Sequence, residues 1–100
     1  MTFSLTGRCR RTGMFGIAVT TSSVAVMSRC PWLRASVGAV ATQNVTNPAI
    51  GNQVLDLLAK GVSAQDALDQ IMRMEKFPAY RQVAVIARSG RPAHYSGAKT

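Results

Sequence analysis

The sequence predicts an α+β fold, an antiparallel sheet with two helices packed on one face. Three observations carry that expectation. The first half of the chain runs in short alternating or apolar segments separated by Gly, Pro and polar turns, which is strand patterning. From Asn47 to Met74, apolar residues recur at helical spacing in two segments divided by Gly61. From Gln82 onward the period of two returns. Strands, then helices, then strands give segregated layers rather than alternating βα units.

In Thr2-Phe3-Ser4-Leu5-Thr6-Gly7, Phe3 and Leu5 share one face while Thr2, Ser4 and Thr6 share the other, a half-buried strand. Arg10-Arg11-Thr12-Gly13 makes a turn, and Met14 to Thr20 returns as the second strand of a hairpin. Val24 to Met27 reads as a short third strand. Pro31 breaks the chain, and Trp32 and Leu33 are expected to cover an edge of the core. The small apolar run from Ser36 to Gln43 is a buried strand. It delivers Thr42, Gln43 and Asn44 to the mouth of a helix that opens with Asn47-Pro48, a cap followed by a residue whose missing N–H costs nothing there.

Ile50, Val54, Leu57 and Leu58 give this first helix its apolar stripe, and Gly61 ends it as a left-handed cap. Ser63-Ala64-Gln65-Asp66 resembles a capping box, with Val62 and Ala67 placed as a staple. The second helix buries Ala67, Leu68, Ile71, Met72 and Met74, its methionines read as core filling, and Phe77-Pro78 stops it. Gln82 to Ala87 is a strand with Val83, Val85 and Ala87 on one face. Ser89-Gly90-Arg91 turns the chain, and Ala93 to Ser96 begins a closing strand.

One hundred residues support a single core and no more than one domain. The formal charge of +8 comes from 12 Lys and Arg against only 4 Asp and Glu, so the chain is basic because acids are scarce. Only Arg8, Arg10 and Arg11 cluster, and no aromatic residues interleave them, so nucleic acid is not an expected partner. Cys9 and Cys30 permit one disulfide, which the sequence leaves open. His94 stands alone, so neither a metal nor another cofactor is expected. No apolar run approaches the ~20 residues that span a bilayer, which excludes a membrane partner of that kind. Arg10-Arg11 ahead of Met14 to Val19 loosely matches a twin-arginine export signal, but the same residues read better as a hairpin turn. The expected location is therefore cytoplasmic.

The acids Asp56, Asp66, Asp69 and Glu75 fall within the predicted helices, spaced for solvent or capping rather than a shared cleft. A Ser-His-Asp triad would have to recruit His94, and no nucleophile elbow accompanies it. Thr2 is the remaining nucleophile. Removal of Met1, which a small second residue permits, would give it a free α-amine with an ordinary pKa of about 7.7 to 8.0 beside its own hydroxyl, so one residue would hold nucleophile and base. Gln43, Asn44 and Asn47 are the candidate oxyanion or substrate-binding residues, because the end of a strand and the start of a helix gather donors and partial positive charge. The alternative for all three is plain structural duty in a capped loop.

Met1-Thr2-Phe3-Ser4, Gly16-Ile17-Ala18-Val19, Pro31-Trp32, Gly38-Ala39-Val40-Ala41-Thr42-Gln43, Asn47-Pro48 with Gly51, Arg81-Gln82-Val83 and Tyr95-Ser96-Gly97 together resemble one bacterial family. It is the uncharacterised family catalogued as domain of unknown function 1028, regarded as similar in fold to N-terminal-nucleophile hydrolases. The resemblance implies half of an αββα sandwich, with amide-bond hydrolysis as the chemistry, a small amide as substrate and Thr2 as nucleophile. Family members are longer, so residues 1–100 read as one truncated domain, the N-terminal half. The other expectation is a non-catalytic fragment that buries its open sheet face by forming a homodimer or by joining its missing C-terminal half or another partner.

Overall fold

Two antiparallel sheets stack on one another, and two helices cover the far side of the larger sheet. The structure is a computed structural model describing residues 1–100. The smaller sheet is the hairpin of β1 (Thr2–Arg8) and β2 (Phe15–Thr21), paired from Thr2↔Thr21 to Arg8↔Phe15. The larger has the order β3-β4-β5-β6, formed by Pro31–Arg34, Gly38–Asn44, Arg81–Ala87 and Ala93–Ser96. Between β4 and β5 come α1 (Ala49–Ala59) and α2 (Ala64–Met74).

The core lies between the larger sheet and the helices. Val40, Val83, Val85 and Ala93 from the sheet meet Ile50, Val54, Leu55, Leu58, Leu68 and Ile71 from the helices. Leu55, absent from the predicted stripe, is 1% exposed, whereas Met74, predicted as core, is 75% exposed. Trp32 packs flat on α1. A Cβ built on Gly51 would come 2.2 Å from the Trp32 ring, so only glycine admits this approach.

The helix boundaries follow their caps. Pro48 already has helical dihedrals, and Asn47 accepts the Ala49 N–H on its Oδ1 at 3.1 Å. At the other end Gly61 has φ +89°, and the Gly61 and Val62 N–H groups donate to the Leu58 and Leu57 carbonyls, a Schellman closure. Ser63 Oγ accepts the Asp66 N–H at 3.2 Å to start α2.

Two expectations need correction. Val24 to Met27 is not a strand. Ala25 sits at φ 54° and leads into a single 3-10 turn, Val26–Ser28, so the backbone has left the extended region. Trp32 and Leu33 do more than cover an edge: with Pro31 and Arg34 they form β3, an edge strand on which proline is tolerated. Cys9 and Cys30 are both free thiols, one exposed and one buried.

The far face of β4 carries Ala39, Ala41 and Gln43, and here the hairpin docks. Ala39 and Ala41 are at most 1% exposed, because small side chains let the second sheet approach closely. Ser4 Oγ donates to Gln43 Oε1 at 2.8 Å, and Arg8 reaches the Ala87 carbonyl at 2.6 Å, pinning β1 along its length.

Candidate active site

Thr2 is the first residue of β1 and lies on the side of the hairpin that faces the larger sheet, half-buried. Its cross-strand partner is Thr21, and the two hydroxyl oxygens are 2.8 Å apart. Thr21 Oγ1 also accepts the Ser23 N–H at 3.0 Å and donates to the Met1 carbonyl at 3.3 Å. Beneath Thr2, β4 presents Gln43. Its amide donates to the Thr2 carbonyl at 3.3 Å and to Gln82 Oε1 at 2.8 Å, while its own Oε1 accepts from Ser4. Gln82 passes the chain on to Ser96 Oγ at 3.2 Å. A polar row therefore crosses the interface between the sheets at this end of the hairpin.

An open cleft of about 310 Å³ lies over this row, lined by Met1, Thr2, Ser23, Gln43, Asn44 and Gln82. A recess of only about 20 Å³ beside it brings Arg29, Cys30, Thr42 and Thr46 to the other side of Thr2. Thr42 is fixed there by donating to the Arg29 carbonyl at 2.6 Å and accepting from the Trp32 indole at 3.2 Å. Burial pushes the Cys30 thiol pKa above its ordinary value, against the opposing hydrogen bond from Thr42 and the charge of Arg29.

The three strand-end residues divide. Gln43 touches Thr2 directly, but its two amide protons are already engaged. Asn44 lines the same cleft in a left-handed conformation, φ 70°, and its amide donates to the Tyr80 carbonyl at 2.8 Å and the Lys99 carbonyl at 3.4 Å. Asn47 is not among the residues of either cavity. It caps α1 and donates to Glu75 Oε2 at 3.0 Å.

Glu75 corrects another expectation, since it does not face solvent. Its side chain is 5% exposed and pairs with Arg81, 9% exposed, at 2.9 Å. Arg81 Nε adds a second bond to the same oxygen at 3.1 Å, and Nη1 donates to the Val45 carbonyl at 2.7 Å. Burial alone would raise the Glu75 pKa, but the hydrogen bonds from Asn47, Arg81 and the Phe77 N–H, with the Arg81 charge, outweigh it and hold the carboxyl below its usual range. The network ties the loop after β4 to the start of β5 and so fixes the backbone that carries Gln43 and Asn44. No spacing rule in the sequence announces it, because its members are brought together only by the sheet.

The largest concavity lies elsewhere. A shallow groove of about 800 Å³ runs over the hairpin and its turn, lined by Leu5, Met14, Ile17 and Ala18 with Arg8 and Arg11 at its rim. The Cys9 thiol there is held below its ordinary pKa by hydrogen bonding to Thr12.

A family model described as a family of unknown function, DUF1028, matches residues 2–100. A crystal structure of a Silicibacter pomeroyi protein assigned to the same family model superposes with a TM-score of 0.93 at 28% identity. The match covers 99% of this chain and 46% of that one, so the chain spans less than half the length of that solved protein. Among curated proteins nothing matches.

Proposed function

The chain belongs to the DUF1028 family of unknown function, and from that premise we propose that it is an N-terminal-nucleophile hydrolase-like domain that cleaves a small amide through Thr2. One observation carries this reading. The residue that a removed Met1 would expose heads an inward-facing strand and opens onto a cleft shared with Gln43 and Asn44.

In this reaction Thr2 Oγ1 attacks the amide carbonyl while its hydroxyl proton passes to the free α-amine of the same residue. The amine then protonates the leaving nitrogen as the C–N bond breaks, and water hydrolyses the resulting ester with the amine again as base. Gln43 clamps the Thr2 main chain from below. Its amide protons, like those of Asn44, are committed to other partners, so the oxyanion donors are best sought among main-chain N–H groups of the cleft. Intact-mass measurement should show loss of Met1, and release of amine from a panel of small amides should vanish in Thr2→Ala. Undiminished turnover in Thr2→Ala would end this reading.

A second reading rests on the outer face of the hairpin. Phe3, Leu5 and Met14 are 64%, 71% and 70% exposed on one continuous surface, which an isolated soluble domain rarely tolerates. In this reading residues 1–100 are a non-catalytic half-domain completed by further chain, of the kind that makes the solved relative longer, or by a second copy. Sedimentation of the 100-residue chain should then show self-association. A stable monomer would count against it.

A further inference from the structure

Three hydrogen bonds meet at Thr21 Oγ1, and their polarity makes this residue sensitive to the presence of Met1. The Ser23 N–H can only donate, so it occupies one lone pair of Thr21 Oγ1. The Met1 carbonyl can only accept, so the Thr21 proton points to it at 3.3 Å. The 2.8 Å contact between Thr2 and Thr21 must then be filled by the Thr2 proton. With Met1 in place, the nucleophile's own proton is directed into Thr21 and away from the position of its nitrogen lone pair.

We infer that Thr21 is a positioning residue that couples removal of Met1 to orientation of the Thr2 hydroxyl. This rests on Thr2 being the nucleophile. Cleavage of the Met1–Thr2 bond deletes the only carbonyl acceptor of the Thr21 hydroxyl. Its proton then turns to Thr2 Oγ1, the acceptor already 2.8 Å away. The Thr2 proton is thereby released from Thr21 and directed to the new α-amine, the base that must take it. Thr21 touches no substrate. Its O–H occupies one lone pair of Thr2 Oγ1, holding that oxygen in place, while the other lone pair remains for attack.

An α′,β′-epoxyketone probe tests both levels. Thr2 Oγ1 adds to its ketone carbon, the α-amine opens the epoxide by forming a C–N bond, and the epoxide oxygen takes the proton released, so the adduct mass is the sum of the two molecules. Formation of this cyclic adduct requires hydroxyl and free amine together, and peptide mapping separates it from reaction at the Cys9 thiol. The Met1-free chain should label at Thr2, while an N-terminally tagged form, in which Met1 stays joined to Thr2, should not. Absence of the cyclic adduct from the Met1-free chain would overturn the nucleophile assignment itself.

With that assignment intact, Thr21→Val should label about tenfold more slowly, the scale of one hydrogen bond to a reacting group. Thr21→Ser should restore the original rate, since it keeps the hydroxyl and drops the methyl. The pH midpoint of labelling should stay that of the α-amine in both variants, with only the plateau lowered in Thr21→Val. A Thr21→Val rate equal to that of the parent, a Thr21→Ser rate as low as that of Thr21→Val, or a moved midpoint would each refute the role given to Thr21. Near-ultraviolet circular dichroism verifies the fold, and Thr21→Ala carries the same expectation where Thr21→Val does not fold.

Discussion

The larger sheet with its helices and the smaller hairpin obey opposite rules of burial. In the former, side chains such as Val40, Val54, Leu55 and Leu68 are at most 1% exposed, and the polar side chains it does bury, such as Thr42 and Arg81, are hydrogen-bonded. In β1 the apolar residues Phe3 and Leu5 face out, and Thr2, Ser4, Thr6 and Arg8 face the neighbouring sheet. The hairpin is joined to the rest of the domain partly by hydrogen bonds, from Ser4 and Gln43 at one end to Arg8 and the Ala87 carbonyl at the other. Apolar burial is non-directional, whereas such polar contacts fix the position of a strand to within a hydrogen bond. One region supplies stability. The other supplies a placed Thr2.

The largest effect is expected where the stable region contains charge. Arg81→Ala leaves the buried Glu75 carboxylate without its cation and should cost about 3–5 kcal/mol in urea unfolding. The same pair sets an acid dependence. Because the folded pKa of Glu75 lies below its unfolded value, the stabilisation is present above the unfolded pKa and is lost as pH falls through the folded one. Urea midpoints measured downward from neutral pH should therefore fall, and Glu75→Gln should flatten that fall. An unchanged pH slope in Glu75→Gln would remove the buried pair from the account. Leu68→Ala, at 1% exposure between helix and sheet, should cost about 2–5 kcal/mol by the same unfolding measurement.

At the junction of the two regions, Gln43→Leu removes the partner of Ser4, the Thr2 carbonyl and Gln82 together. It should cost about 1–3 kcal/mol and raise amide exchange in β1 more than in β5. Equal exchange increases in both strands would mean that Gln43 supports the fold generally rather than seating the hairpin.

How far each region was legible in the sequence follows the same division. Both helices were readable from their stripes and caps, because the signals at Asn47, Gly61 and Ser63 are local. So were β4, a small apolar run that is buried nearly throughout, and β5 and β6, whose alternation is partly mirrored in their burial. β3 was not, since four residues opening with proline carry little period. The left-handed Ala25 that replaces a strand by a turn also has no sequence signal of its own. The alternation of β1 was legible, but not which face turns inward, because that depends on Gln43 and Gln82 lying 39 residues or more away in sequence. For the candidate site, the place of Thr2 after Met1, with the family resemblance, nominated Thr2, and the strand end nominated Gln43; the two touch. The sequence could not separate Asn47, whose partner Glu75 is 28 residues distant, nor find Thr21, whose importance lies in a cross-strand pairing.

The smallest expected effect draws the comparison most sharply. Leu5 is the centre of the hairpin's outer face and is 71% exposed, so in the 100-residue chain Leu5→Ser should change stability by no more than about 0.5 kcal/mol. A core leucine such as Leu68 cannot behave this way. Should Leu5→Ser instead destabilise the chain by more than about 1 kcal/mol, and do so increasingly at higher protein concentration, the outer face is buried in solution by another copy. Concentration-independent loss of that size would mean that Leu5 packs within its own chain, in conflict with the outward face of β1. A neutral result leaves the hairpin as a surface whose apolar residues await a partner, while its polar residues hold Thr2 in place without one.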